Sequence, residues 1–177
     1  MTAKDQALSA YNLDSSELEI VKINNGLINS TWCIKNSHNY FILQKINHQV
    51  FKNPEAIASN VRLIAAYLLK HDPQYLFVAP LKTKSDEEMV KIHGSGYFRL
   101  IPFVQESCTI TTVQKPQQAF EAAQKFGEFT KLLSQFPVQK LQFTIPDFHN
   151  LSLRYQQFKD ALKTGNKLRL QQSTGLI

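Results

Sequence analysis

Tyr40-Phe41-Ile42-Leu43-Gln44-Lys45-Ile46 is the strongest strand in the chain, and the fold is read from it. Aromatic and branched residues fill it, and strand alternation sends Phe41, Leu43 and Lys45 to one face and Gln44 to the other. Toward the N-terminus, Asn36-Ser37-His38-Asn39 reads as a turn and Thr31-Trp32-Cys33-Ile34 as a second strand. Asn24-Asn25-Gly26 is a turn signal of the hairpin kind, and residues 18–24 alternate as a further strand with Leu18, Ile20 and Lys22 on one face. Three strands joined by two short turns make an antiparallel meander. Residues 1–13, with Ala7, Leu8, Ala10 and Tyr11, read as a short helix.

Toward the C-terminus a helix follows. Asn53 caps it, Pro54 suits its first position and Glu55 suits its positive end. Ile57, Val61, Ile64, Ala65 and Leu68 recur at helical spacing, and His71-Asp72-Pro73 ends the run. Strands are expected at residues 75–81, 89–92 and 97–104, the last two around His93-Gly94-Ser95-Gly96. With the meander these make six candidate strands for a sheet of about five, with one helix inserted after the third. Pro116 starts a long helix with the stripe Ala119, Ala122, Ala123, Phe126, Phe129, Leu133 and Phe136. Gly127 inside it costs about 1 kcal/mol against Ala, which predicts close packing there. Residues 145–150 read as a loop, residues 151–162 as another helix, and residues 163–177 as a polar tail.

Composition narrows the function classes. The chain has 177 residues, with 43% hydrophobic and 19% charged, which is globular and not disordered. Lys and Arg number 20 against 14 acidic residues, a formal charge of +6 that suits an anionic ligand. The basic residues are scattered, without the clustered patch expected of nucleic-acid binding. Cys33 and Cys108 form no CxxC pair and no disulfide is expected. A polar N-terminus and the lack of a long apolar run predict a cytoplasmic protein with no membrane partner.

Asn25-Gly26-Leu27-Ile28-Asn29-Ser30-Thr31-Trp32, residues 40–47 and Val50-Phe51-Lys52-Asn53-Pro54-Glu55 together resemble the aminoglycoside phosphotransferase/choline kinase superfamily. Within it they are most similar to the branch of bacterial N-acetylhexosamine 1-kinases, whose relatives are sometimes labelled mucin desulfatases. Tyr97-Phe98-Arg99-Leu100-Ile101-Pro102-Phe103 and residues 145–151 fit the same branch, so the resemblance covers roughly residues 18–160. It implies an α+β architecture: residues 1–104 as a protein-kinase-like N-lobe, and residues 105–177 as the hinge and first helices of an incomplete C-lobe. It also implies ATP as cofactor and a sugar, or another small hydroxyl compound, as acceptor.

The resemblance assigns roles residue by residue. The turn bearing Asn25, Gly26, Asn29, Ser30 and Thr31 would cover the nucleotide phosphates. Lys45 would neutralise them, against the bland reading of a lysine snorkelling at a strand end. The backbone of Phe103 and Val104 would meet the adenine. The resemblance finds no well-aimed helix glutamate to pair with this lysine. Glu55 lies roughly 160° from the centre of the apolar stripe at about 100° per residue, and Asn60 is the better aimed but neutral group. Asp147 and His149 read as a turn before a helix capped by Asn150, and not as a catalytic dyad. Arg99 carries no assignment.

Phosphoryl transfer also needs an aspartate for the acceptor hydroxyl and groups that hold Mg²⁺. His38, His48, His71, His93 and His149 are followed two positions later by Tyr40, Val50, Pro73, Ser95 and Leu151, so no His-x-Asp occurs, and no Asp-x-Asp occurs either. No catalytic or metal residue is therefore expected in this chain, and both motifs would lie beyond residue 177. The expectation is an ATP-binding portion that is inactive alone, partnered by a missing C-lobe or by itself. The alternative is a non-catalytic scaffold or one half of a split kinase.

Overall fold

The computed structural model describes residues 1–177 except Asn25, His38 and Ile177. It divides into two compact units, Met1–Thr144 and Ile145–Ile177. The first unit is built on a five-stranded antiparallel sheet of β1 (Glu19–Ile23), β2 (Ser30–Lys35), β3 (Tyr40–Lys45), β4 (Val90–Ile92) and β5 (Gly96–Pro102), in the order β1-β2-β3-β5-β4. Helix α1 (Ala3–Ser9) precedes it, α2 (Pro54–His71) is inserted after β3, and α3 (Pro116–Leu132) follows β5. The second unit holds α4 (Leu151–Thr164) and α5 (Lys167–Gln172), so the segment expected to be a polar tail contains a further helix, capped by the Asn166 side chain on the Arg169 N–H.

Register decides which residues share a face. Trp32 lies opposite Leu43 and Leu43 opposite Leu100, while Thr31 lies opposite Gln44 and Gln44 opposite Arg99. Residues directly opposite one another point to the same side, and successive residues point to opposite sides. One face therefore carries Ile20, Ile34, Phe41, Leu43, Phe98, Leu100 and Val90, and it packs with Ala7 and Leu8 of α1 into the core of the sheet. Thr2 and Asp5 form a capping box that starts α1, so its short length is offset by a defined N-terminus. The other face carries Val21, Thr31, Cys33, Ile42, Gln44, Arg99 and Ile101, and α1 leaves it uncovered.

Three expectations are corrected. Residues 75–81 form no strand: β5 is flanked by β3 on one side and β4 on the other, and only where β4 ends does Leu81 N–H reach the Leu100 carbonyl, at 2.8 Å. The stripe of α3 is not buried along its length. Ala119, Ala122 and Ala123 are exposed, Phe126 is 75% exposed, and cover begins at Phe129, which stacks on Phe77 with centroids 6.1 Å apart. A Cβ at Gly127 would meet nothing within 4 Å, so no close approach explains that glycine. The β4–β5 turn does require glycine: Gly94 and Gly96 have φ of +69° and +94°, a region costly for residues with a Cβ.

Helix α2 starts where its sequence predicts, but of the expected stripe only Leu68 is buried; Ile57, Val61, Ile64 and Ala65 are half-buried, and Ala58 is buried outside the stripe. The Asn53 side chain accepts from the Ala56 N–H at 3.2 Å, Pro54 and Ala56 are buried, and Leu68 is buried toward its end. Tyr67 meets Phe136 edge-on with centroids 5.2 Å apart, which ties the helix to the segment after α3.

Candidate nucleotide-binding face

The uncovered face of the sheet has an apolar floor and a polar border. Val21, Cys33, Ile42 and Ile101 make the floor; Cys33, Ile42 and Ile101 are half-buried and Val21 is exposed. At one end Tyr40 and Phe103 pair their rings with centroids 5.7 Å apart. At the other end runs the cross-strand row Thr31, Gln44 and Arg99. Gln44 Nε2 donates to Thr31 Oγ1 at 3.4 Å, and Arg99 donates to Gln44 Oε1 from Nε at 3.0 Å and from Nη2 at 2.7 Å. Burial holds the Arg99 guanidinium below its usual pKa, opposed by the charge of Tyr11. Among the described residues no carboxylate lies within ion-pair distance of Arg99.

Helix α2 reaches the same side of the sheet. Tyr97, which shares its face with Arg99, donates its hydroxyl to Glu55 in the first turn of α2. That hydrogen bond, ahead of any other cause, lowers the Glu55 pKa. Glu55 was expected to face solvent; it remains exposed but is anchored to β5.

The residues singled out in the sequence are distributed as follows. Thr31 lies in the polar row. Asn29 accepts from the Asn47 N–H at 2.9 Å, which ties the β1–β2 connection to the end of β3. Gly26 and Ser30 are exposed in and beside that connection; a Cβ on Gly26 would meet the Asn29 carbonyl at 3.2 Å. Asn25 lies outside the described residues. Lys45 is half-buried on the face that α1 covers, with Nζ 5.9 Å from the Phe98 ring centroid, while Gln44 occupies the uncovered face. Asn60 turns away from the row altogether. Its amide donates to the Gln142 carbonyl at 2.8 Å and its carbonyl accepts from the Gln142 N–H at 2.9 Å, so both its groups are spent on backbone.

The Phe103 N–H donates to the Tyr40 carbonyl at 3.3 Å, and the Val104 carbonyl accepts from Ser107 Oγ at 2.7 Å. The Val104 N–H meets no partner among the described residues. In the second unit Asp147 accepts from Asn150 Nδ2 at 2.9 Å and His149 lies edge-on to Phe148, so the two form no dyad, and Asn150 caps α4 as expected. Arg99, unassigned from the sequence, and Gln44, expected on the face opposite Lys45, share the polar row. Alternation separated Gln44 from Lys45, but only α1 shows which face is occupied.

A second cleft, of about 560 Å³, lies beside α2 and β4, lined by Glu55, Arg62, Glu88, Lys91 and Tyr97 among others. Its buried carboxylate, Glu88, is already met by Lys82 at 3.1 Å and Arg62 at 3.6 Å. Thr31, Gln44, Arg99, Phe103 and Val104 do not line it. Among the described residues no three His, Cys, Asp or Glu side chains gather as a metal site, and no helix is long and apolar enough to cross a membrane.

No family model matches the chain. Several solved structures resemble it, two of them over about four fifths of the chain. One is the spectinomycin phosphotransferase APH(9)-Ia in complex with ADP and spectinomycin, at TM-score 0.52 and 10% identity, over 79% of this chain and 40% of that one. The other is a microcompartment-associated aminopropanol kinase, at TM-score 0.55 and 17% identity, over 82% of this chain and 42% of that one. The chain thus spans about two fifths of the length of either. Identities this low establish architecture and leave activity open. The five-stranded antiparallel sheet with its inserted helix, followed by further helices, has the fold of a kinase-like N-lobe and what comes after it.

Proposed function

We propose that this chain supplies the nucleotide-binding lobe of an ATP-dependent small-molecule phosphotransferase. The observation that carries the reading is the uncovered face: an apolar floor flanked by a ring pair at one end and a cation without a carboxylate partner at the other. A purine needs a flat apolar slot and a polyphosphate needs cationic donors, and the two ends of this face offer them in that order. Phe103 and Val104 would meet the base, with the Val104 N–H as donor. Gly26, Asn29, Ser30 and Thr31 would border the phosphates, while Lys45 stands behind the sheet, over Phe98, and is left out of the set.

Phosphoryl transfer would use Mg²⁺ to hold the phosphates, and this chain offers no acidic cluster for it among the described residues. The transfer step is therefore assigned to no residue here. A sugar or amino-sugar acceptor is favoured by the resemblance of residues 18–160 to the N-acetylhexosamine kinase branch. The absence of His-x-Asp from the sequence favours a second reading, a binding module without catalysis of its own.

Calorimetric titration of the chain with ATP and with adenosine tests the nucleotide reading. Saturable binding, tighter for ATP than for adenosine, is expected together with a rise in melting temperature. A chain that binds neither ligand at millimolar concentration is not a nucleotide lobe. Phosphorylation of N-acetylhexosamine by the chain alone would overturn the assignment of the chemistry elsewhere.

A further inference from the structure

We propose that the Arg99–Gln44 pair, and not Lys45, is the element of the sheet that recognises the polyphosphate. The proposal rests on the nucleotide reading above and names the group that does the work within that face. Arg99 is a half-buried cation whose two hydrogen bonds among the described residues both go to the neutral oxygen of Gln44. A buried charge is costly unless something opposite in sign compensates it, and an amide oxygen orients the guanidinium without neutralising it. A guanidinium has five N–H donors in a planar fork, and Gln44 takes two of them, so three remain for a ligand. Phosphate oxygens match that fork and supply the missing charge.

Gln44 sets the geometry. Two Arg99 donors converge on one side of its amide, which fixes the oxygen there and turns Nε2 toward Thr31. Thr31 Oγ1 then serves as acceptor to Gln44 and keeps its own hydroxyl hydrogen for a ligand. The row ends at Thr31, two residues after Asn29 in the β1–β2 connection, which would lie over a polyphosphate. Lys45 cannot share this task from where it stands. Strand alternation puts it opposite Phe98 on the face that packs on α1, and its ammonium sits over that ring.

The test uses the full chain with three probes: ATP, adenosine and inorganic tripolyphosphate. Three variants are compared with wild type by calorimetry, with thermal melts as the check on folding. Gln44→Glu places a carboxylate at the hydrogen-bond distance already seen, so Arg99 becomes ion-paired while side-chain size is kept. It is expected to weaken ATP and tripolyphosphate by about tenfold or more, leave adenosine within about twofold, and not lower the melting temperature. Arg99→Met is expected to remove the preference for ATP over adenosine. Lys45→Met is expected to leave all three affinities within about threefold.

Should Arg99→Met fail to fold, Gln44→Glu decides alone. ATP binding that survives Gln44→Glu but collapses in Lys45→Met overturns the proposal while the nucleotide reading stands. Tripolyphosphate binding that depends on Arg99, with adenosine contributing nothing to ATP affinity, upholds the pair as an anion site and overturns the nucleotide reading. Wild-type protein that binds neither ATP nor tripolyphosphate overturns both.

Discussion

At the scale of single residues, the polar groups of the sheet are sorted by what lies behind them. Tyr11 follows α1 and packs against the core cluster, and its hydroxyl makes a long hydrogen bond of 3.5 Å to the Phe98 carbonyl. Burial pushes its pKa up to about 12. The unfolded chain therefore releases this proton first, near its ordinary pKa of about 10, and stability falls as pH rises from about 10 toward about 12. The phenol is partly open to solvent, so the loss is on the order of 1–2 kcal/mol rather than the full value of the shift. Urea midpoints measured between about pH 9 and about pH 12 should decline in the wild type, and Tyr11→Phe should flatten that decline. An unchanged slope in the variant would show that another group titrates.

At the scale of elements, α3 shows the limit of reading burial from periodicity. Its stripe repeats as a packed helix would, yet only the end from Phe129 onward finds partners in the first unit. Gly127 sits in the open part, with no neighbour for a Cβ to disturb and no positive φ to preserve. Gly127→Ala is thus expected to stabilise the unit by about 1 kcal/mol, through helix propensity and a less disordered unfolded chain. A higher urea midpoint with an unchanged slope would confirm it. A lower midpoint would mean that something packs on this glycine in solution.

At the scale of the whole molecule, apolar surface remains uncovered in both units. Phe120, Phe126 and Phe143 in the first are 60%, 75% and 89% exposed; Phe148, Leu151 and Tyr155 in the second are 57%, 79% and 61% exposed. Exposed apolar side chains that gather into a patch are usually covered by contact with other protein. The chain is expected to associate with itself as concentration rises. Sedimentation velocity over a hundredfold range of about 1–100 µM should show this, and a double change of Phe120→Ser and Phe126→Ser should reduce it. A single, concentration-independent monomer peak for the wild type would count against the expectation.

Local sequence was enough for most of the elements and their order, though not for residues 75–81, which form no strand, or for α5. Branched and aromatic runs made the strands, Asn53 and Pro54 began α2, and Asn150 began α4, because turns, caps and alternation act within a few residues of the chain. Alternation also put Gln44 and Lys45 on opposite faces of β3. It could not say which face would stay open, since that was decided by α1 folding back onto Leu43 and Leu100 from far along the chain. Nor could it pair Arg99 with Gln44, 55 positions away, because that contact exists only once β5 lies beside β3. Which cation is left without a counter-charge depends on strand pairing, and strand pairing is a property of the folded sheet alone.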